Sequence, residues 1–163
     1  MEESMTPDGV AAQRERLAEE LRAYGASFTE LGRRFAVTLG VHSTDAFALL
    51  EIASAEESGT PLSPALLSRR ISLTSGAMTT LLNRLERAGY ISRSREHSDR
   101  RIVTLRSSAQ AKELARSFFE SVNARQDAIL AEHPPELLDR LQGILAQLRA
   151  TMDADLRTER PEG

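Results

Sequence analysis

Cysteine is absent from the 163 residues, which excludes disulfides, thiolate metal sites, cysteine nucleophiles and thiol-based oxidant sensing within the chain. Tryptophan is also absent and aromatics make up only 4%. With no evenly spaced Val/Ile/Thr-rich stretches, an all-β fold is disfavoured and a mostly helical one expected. No apolar run approaches the roughly 18 to 20 residues of a membrane span, and the acidic start (Met1, Glu2, Glu3) lacks a basic, apolar signal pattern; the expectation is a cytoplasmic protein without a membrane partner. Neither a GxxxxGK[ST] nor a GxGxxG phosphate loop occurs. His42, His97 and His133 lie too far apart for a helical metal site, and His97-Ser98-Asp99 are neighbours that cannot form a triad's geometry. No metal, no cofactor and no catalytic residue are expected.

What is present begins with arginine. The formal net charge is -3, which looks wrong for a partner of nucleic acid, but the average hides a partition. From Pro61 to Arg106 stand nine arginines, no lysine and three acids (Glu86, Glu96, Asp99), a net +6, leaving -9 on the rest of the chain. A cationic middle sits between acidic flanks.

With 40% apolar residues the chain can bury a core, and its length favours one domain. From about Val10 to Leu39, Leu17, Leu21, Tyr24, Phe28, Leu31 and Phe35 recur at steps of four and three, one apolar helical stripe. Gly25 and Gly32 weaken it by roughly 1 kcal/mol each relative to Ala. Ser43 is read as the N-cap of a short helix with Phe47, Leu50 and Ile52 inward, closed by Gly59 and Pro61. Ser63-Pro64 is an N-cap and N1 pair opening a helix to about Ile71, since proline has no amide hydrogen to lose there. Thr74 caps the next, whose inner stripe is Met78, Leu81, Leu82 and Leu85 and whose outer stripe is Gly76, Thr79, Thr80, Asn83 and Arg87; Gly89 ends it. Tyr90 to Ser94 and Arg101 to Leu105 read as a two-stranded hairpin around a charged turn. A helix from Ser107 or Ser108 places Leu114, Phe118, Val122 and Ile129 inward until Pro134 and Pro135. The last carries Leu137, Leu141, Leu145, Leu148, Met152 and Leu156 on one face.

Helix, tight turn, helix and hairpin form a module with a physical use. A major groove roughly 12 Å wide admits one helix while the preceding helix braces it. The helix from Thr74 is the candidate reader, with hydroxyls and an amide outward and an N-terminus that can offer amides to a phosphate. Arg93, Arg95, Arg100 and Arg101 in the hairpin loop suit a narrow, electronegative minor groove.

The run LSPALLSRRISLTSGAMTTLLNRLERAGYISR, from Leu62 to Arg93, followed by SDRR, resembles the winged helix-turn-helix core of the MarR family of bacterial regulators (multiple antibiotic resistance regulators). The NRLERAGYI stretch and the SDRR wing are its most specific parts. The resemblance implies a mostly helical fold with a β-hairpin wing, flanked by N- and C-terminal dimerisation helices: residues 1–41 as leader and dimerisation helix, 42–106 as DNA-binding region, 107–163 as C-terminal dimerisation helices. It implies that Ser75, Thr79 and Thr80 face the major groove and that Arg84 supports phosphate or wing contacts. Asn83, Arg95 and Arg101 join the DNA-binding set. Arg100 matches the wing arginine that enters the minor groove, while Asp99 shapes the wing with Arg101. It further implies a homodimeric repressor on double-stranded DNA with a palindromic operator, released by a small-molecule effector. Two departures stand out: the segment after SDRR is shorter than the family's usual strand, with Arg106 where Thr is usual, and Gly76 has no side chain where relatives carry a polar one. A winged module for protein contact, or a small helical enzyme, remain as alternatives at this point.

Overall fold

The fold was analysed in a computed structural model, which describes residues 7–95 and 101–158. The element order is α1 (Pro7–Leu39), α2 (Ser43–Glu57), α3 (Pro64–Ile71), α4 (Ser75–Arg87), β1 (Ile91–Ser94), β2 (Thr104–Ser107), α5 (Ala109–Ala131) and α6 (Pro135–Thr158). The chain divides into two units, residues 1–118 and 119–163. The mostly helical fold with a two-stranded wing is the one expected from the sequence.

Local chemistry explains the boundaries of the middle elements. The Ser63 hydroxyl accepts the Leu66 amide at 3.2 Å with Pro64 in the first helical turn, and the Thr74 hydroxyl accepts the Ala77 amide at 3.3 Å. Each satisfies one of the amides a helix start leaves unpaired. At the end of α4, Gly89 takes φ +77°, its amide donates to the Glu86 carbonyl and the Tyr90 amide to that of Leu85. This Schellman arrangement turns the chain directly into β1. Ser108 caps α5 by accepting the Ala111 amide at 3.1 Å.

The core of the first unit gathers Phe35 and Leu39 from α1, Leu49 and Ile52 from α2, Leu67 from α3, and Met78, Leu81, Leu82 and Leu85 from α4. Ile91 and Leu105 close it from the wing. Each fully buried side chain of this size stabilises by about 1.5 to 3 kcal/mol. Phe35 also meets Phe118 of α5, ring centroids 5.2 Å apart and tilted by 47°. The inner stripe of α4 is therefore as the sequence suggested.

Three expectations need correction. His42, not Ser43, occupies the N-cap of α2, with extended backbone and no side-chain cap bond. The buried face of α2 is Asp45, Ala46, Ala48, Leu49, Ile52 and Ala55, with Phe47 and Leu50 only half-buried. The reason is that α2 packs against α1, α3, α4 and β2; a helix enclosed on several sides has no single stripe to read. The second strand begins at Thr104 rather than Arg101 and pairs Ile91 with Ser107, Ser92 with Arg106, Arg93 with Leu105 and Ser94 with Thr104. Burial of Leu105 and Ser107 sets that register, and the Leu105 amide donates to the Leu62 carbonyl at 2.8 Å, tying the strand to the approach of α3.

The apolar stripe of α1 divides along its length. Phe35 is fully buried and Leu31 half-buried, whereas Leu17, Tyr24 and Phe28 are exposed. In the second unit Ile129 and the α6 residues Leu137, Leu141, Leu145, Leu148, Met152 and Leu156 are all exposed, the α6 six at 39 to 61%. Among the described residues no single helix is long and apolar enough to cross a membrane.

Candidate nucleic-acid interface

Since Met78, Leu81, Leu82 and Leu85 fix one side of α4 in the core, its other side is presented outward. Ser75, Gly76, Thr79 and Thr80 are exposed there, with Arg87. The Thr79 hydroxyl donates to the Ser75 carbonyl at 3.0 Å and that of Thr80 to the Gly76 carbonyl at 3.1 Å. Those back-bonds orient each threonine, leaving its oxygen to accept and its methyl group for apolar contact. Ser75 and Gly76 stand in the first turn of α4, where backbone amides point out along the helix axis.

Asn83 and Arg84, next on α4, both have partners within the chain. The Arg93 guanidinium, on β1, donates through Nη2 to the Asn83 Oδ1 at 2.8 Å and lies 3.8 Å from Glu86. Asn83 thus joins the reading helix to the wing. Arg84 turns towards α2: its Nε and Nη2 donate to Asp45 Oδ2 and Oδ1 at 2.8 and 2.6 Å. The Asp45 side chain is 1% exposed, that of Arg84 41%. The hydrogen bond to Asp45 raises the Arg84 pKa above its ordinary value against the opposing effect of burial. Asn83 thus meets the wing, and Arg84 makes an interhelical ion pair while keeping part of its side chain exposed.

The base of the wing is held by a carboxylate the sequence did not reveal. Glu56, with 8% of its side chain exposed, accepts hydrogen bonds from the amide and the hydroxyl of Ser107, the former at 2.9 Å. Lys112 Nζ and Arg106 Nη1 lie 3.5 and 3.7 Å from its other oxygen. Burial pushes the Glu56 carboxyl up, but the Ser107 side-chain and backbone hydrogen bonds, with Lys112, outweigh it and hold the pKa below its ordinary value. The Tyr90 hydroxyl donates to the Leu39 carbonyl at 2.9 Å, anchoring the other strand's entry to α1.

Arg95 and Arg101 are exposed on the two sides of the wing loop. Asp99 and Arg100, the wing-shaping and minor-groove residues implied by the resemblance, lie outside the described residues. No group of three or more His, Asp or Glu able to hold a metal occurs among the described residues.

A capped helix with a buried apolar side and an exposed hydroxyl side, braced by a preceding helix and followed by a basic hairpin, defines a winged helix-turn-helix protein. The MarR family profile matches residues 46–103, the segment from α2 to the foot of β2. An HTH-type transcriptional regulator of Bacillus subtilis (strain 168), YcgE, is 26% identical over 121 residues, covering 74% of this chain and 76% of the relative. The fold is shared with MepR of S. aureus in its DNA-binding conformation, at a TM-score of 0.63 and 12% identity over 83% of this chain and 98% of that one. It is shared too with the transcription regulator MarR of Oenococcus oeni PSU-1, at 0.58 and 18% over 82% and 98%. The winged segment thus matches the model of the MarR family, and the chain is similar over about three quarters of its length to an HTH-type transcriptional regulator.

Proposed function

We propose that this protein is a cytoplasmic, homodimeric repressor that reads a palindromic operator and is released from it by a small molecule. The observation that carries the DNA-reading part is the exposed row Ser75, Gly76, Thr79 and Thr80 on a helix whose opposite side is locked in the core. Ser75, Thr79 and Thr80 meet base edges and phosphates in the major groove, and Arg95, Arg100 and Arg101 line the minor groove beside it. Asp99 shapes the loop that carries them. The MepR structure named for its DNA-binding conformation has the same fold, which supports the reading.

The dimer follows from α6. Its exposed leucines form a stripe that a second copy of the chain would cover across a two-fold axis, and α1 carries a further exposed apolar stretch at Leu17, Tyr24 and Phe28. Residues 1–41 and 107–163 then serve dimerisation and residues 42–106 serve DNA. Pairing sets two reading helices about one DNA turn apart, roughly 34 to 36 Å, hence a palindromic site. A repressor of this kind is released by an effector that binds its DNA-incompetent conformation better than its competent one.

Titration of genomic fragments at several salt concentrations tests the proposal. Log K is expected to fall with log salt by about 0.9 per phosphate neutralised. Binding that ignores salt, or equal affinity for every fragment, would refute a sequence-reading repressor and favour a winged module for protein contact.

A further inference from the structure

Asn83 and Arg84 are neighbours on α4 whose side chains tie it to two different elements. The first bonds Arg93 on β1 and the second forks onto Asp45 of α2. The reading helix is thus held by both elements just one turn below its exposed row. Of the two ties the Asp45 fork is the directional one. Two parallel N–H···O bonds fix the plane of the guanidinium, and both carboxylate oxygens are used.

Stability alone does not account for this pair. Met78, Leu81, Leu82 and Leu85 already bind α4 to the core, and a buried ion pair is commonly matched or bettered in stability by apolar residues of similar volume. Apolar contact is non-directional, however, and leaves a helix free to turn slightly about its axis. With side-chain tips about 5 to 6 Å from that axis, a turn of roughly 15° moves them by about 1.5 Å. Such a shift breaks the hydrogen bonds on which base reading depends.

We infer that Asp45 is a positioning residue for DNA recognition: through its fork with Arg84 it fixes the rotation of α4, so a buried carboxylate that never meets DNA sets sequence discrimination. The inference rests on the DNA-binding reading above. It reassigns Arg84 from a phosphate contact to a strut, and the two roles differ in their salt response.

The test uses the full chain and a duplex that the wild type selects from a random-sequence pool, with a shuffled duplex of equal length as reference. Asp45→Asn is nearly isosteric and adds one positive charge to the head, so a bystander would bind both duplexes as well as before or better. The expected result is a loss of discrimination of about tenfold, comparable to one well-made base contact, with shuffled-duplex affinity undiminished and the salt slope unchanged. Asp45→Leu with Arg84→Met replaces the fork by an apolar pair. It is expected to keep the thermal midpoint and lose the same discrimination, an outcome a merely structural role would not give, and it decides the matter should Asp45→Asn fail to fold. Wild-type discrimination in a folded variant lacking the fork overturns the inference. So does a salt slope shallower by about one phosphate in Arg84→Met while Asp45→Asn is silent. A wild type that selects no sequence overturns the DNA-reading proposal itself, and this inference with it.

Discussion

The two units use apolar residues in opposite ways. The first unit buries a core that runs from Phe35 to Ala111 and is crossed by two engaged carboxylates, Asp45 and Glu56, although Leu17, Tyr24 and Phe28 of α1 stay exposed. Among the described residues of the second unit none is buried, although α6 carries a leucine at nearly every turn of one face. A stripe with that spacing is not a solvated surface by composition, so the contrast marks the surface that the proposed dimer would cover. The first unit has its own core and its own polar ties; the second is left with a surface that needs covering.

The largest expected effect breaks this contrast where it is sharpest. Leu141→Asp with Leu145→Asp puts two charges on the α6 stripe and is expected to convert the dimer to monomer in sedimentation velocity. The dichroism of the winged unit should change little, while operator affinity falls by about a hundredfold or more once two linked heads become one. A double variant that still sediments as a dimer would place the interface elsewhere. Identical substitutions on the first unit's core would instead unfold it, which is the asymmetry the comparison asserts.

Next in size is Glu56, on which α2, β2 and α5 converge. Glu56→Gln keeps the shape but gives up the ion pairs with Lys112 and Arg106, at an expected cost of about 1 to 3 kcal/mol in urea unfolding. Its pKa is depressed in the folded chain, so the stabilisation is fully present above the ordinary value of 4.5 and is lost as pH falls through the lower folded value. Stability measured from pH 6 down to 3 should therefore fall more steeply in the wild type than in Glu56→Gln. Parallel curves would show the carboxylate to be unimportant.

How much of this was legible in the sequence depends on the range of the interaction. Ser63-Pro64, Thr74 and Gly89 act within four residues, and the boundaries of α3 and α4 could be read from them. The inner stripe of α4 follows from period alone. By contrast Asp45 meets Arg84 39 positions away and Glu56 meets Ser107 51 away. Nothing local distinguishes these acids from the solvated ones beside them. The start of β2 was misplaced for the same reason, since Ile102 and Val103 have strand character but register was decided by Glu56 and the Leu62 carbonyl. Of the candidate site, the exposed row on α4 was visible as an outer stripe, while the engaged states of Asn83 and Arg84 depended on contacts with β1 and α2.

The glycines of α1 turn the same lesson into a paired measurement. Both were read as weak points in a helix. A Cβ on Gly25 meets nothing within 4 Å, so Gly25→Ala should gain about 1 kcal/mol of helix propensity. A Cβ on Gly32 would drive into the Phe47 ring. Overpacking of about 1 to 3 kcal/mol outweighs the same propensity gain, and Gly32→Ala is expected to lose about 1 kcal/mol net. The opposite signs should appear in thermal melts of the two variants, and Gly32→Ala with Phe47→Leu should recover most of the loss. Equal gains would mean that α1 and α2 do not approach as closely as the structure has them.

The smallest effect concerns the turn between α3 and α4. Ser72 stands at φ +51° and ψ +47°, the left-handed region, after the last residue of α3. Glycine enters that region without the Cβ penalty, which for other residues is about 1 to 2 kcal/mol, but it brings extra freedom to the unfolded chain worth about 0.4 to 1 kcal/mol. The difference leaves Ser72→Gly more stable by about 0.5 kcal/mol, a rise of roughly 1 to 2 °C in the thermal midpoint for a chain of this size. Operator affinity should not move, because Thr74 and not Ser72 caps α4 and the row from Ser75 to Thr80 keeps its place. A fall in the midpoint would show that the serine side chain holds the turn. An unchanged midpoint with altered affinity would show instead that the turn itself lies against DNA, extending the interface from the outward side of α4 back to the end of α3.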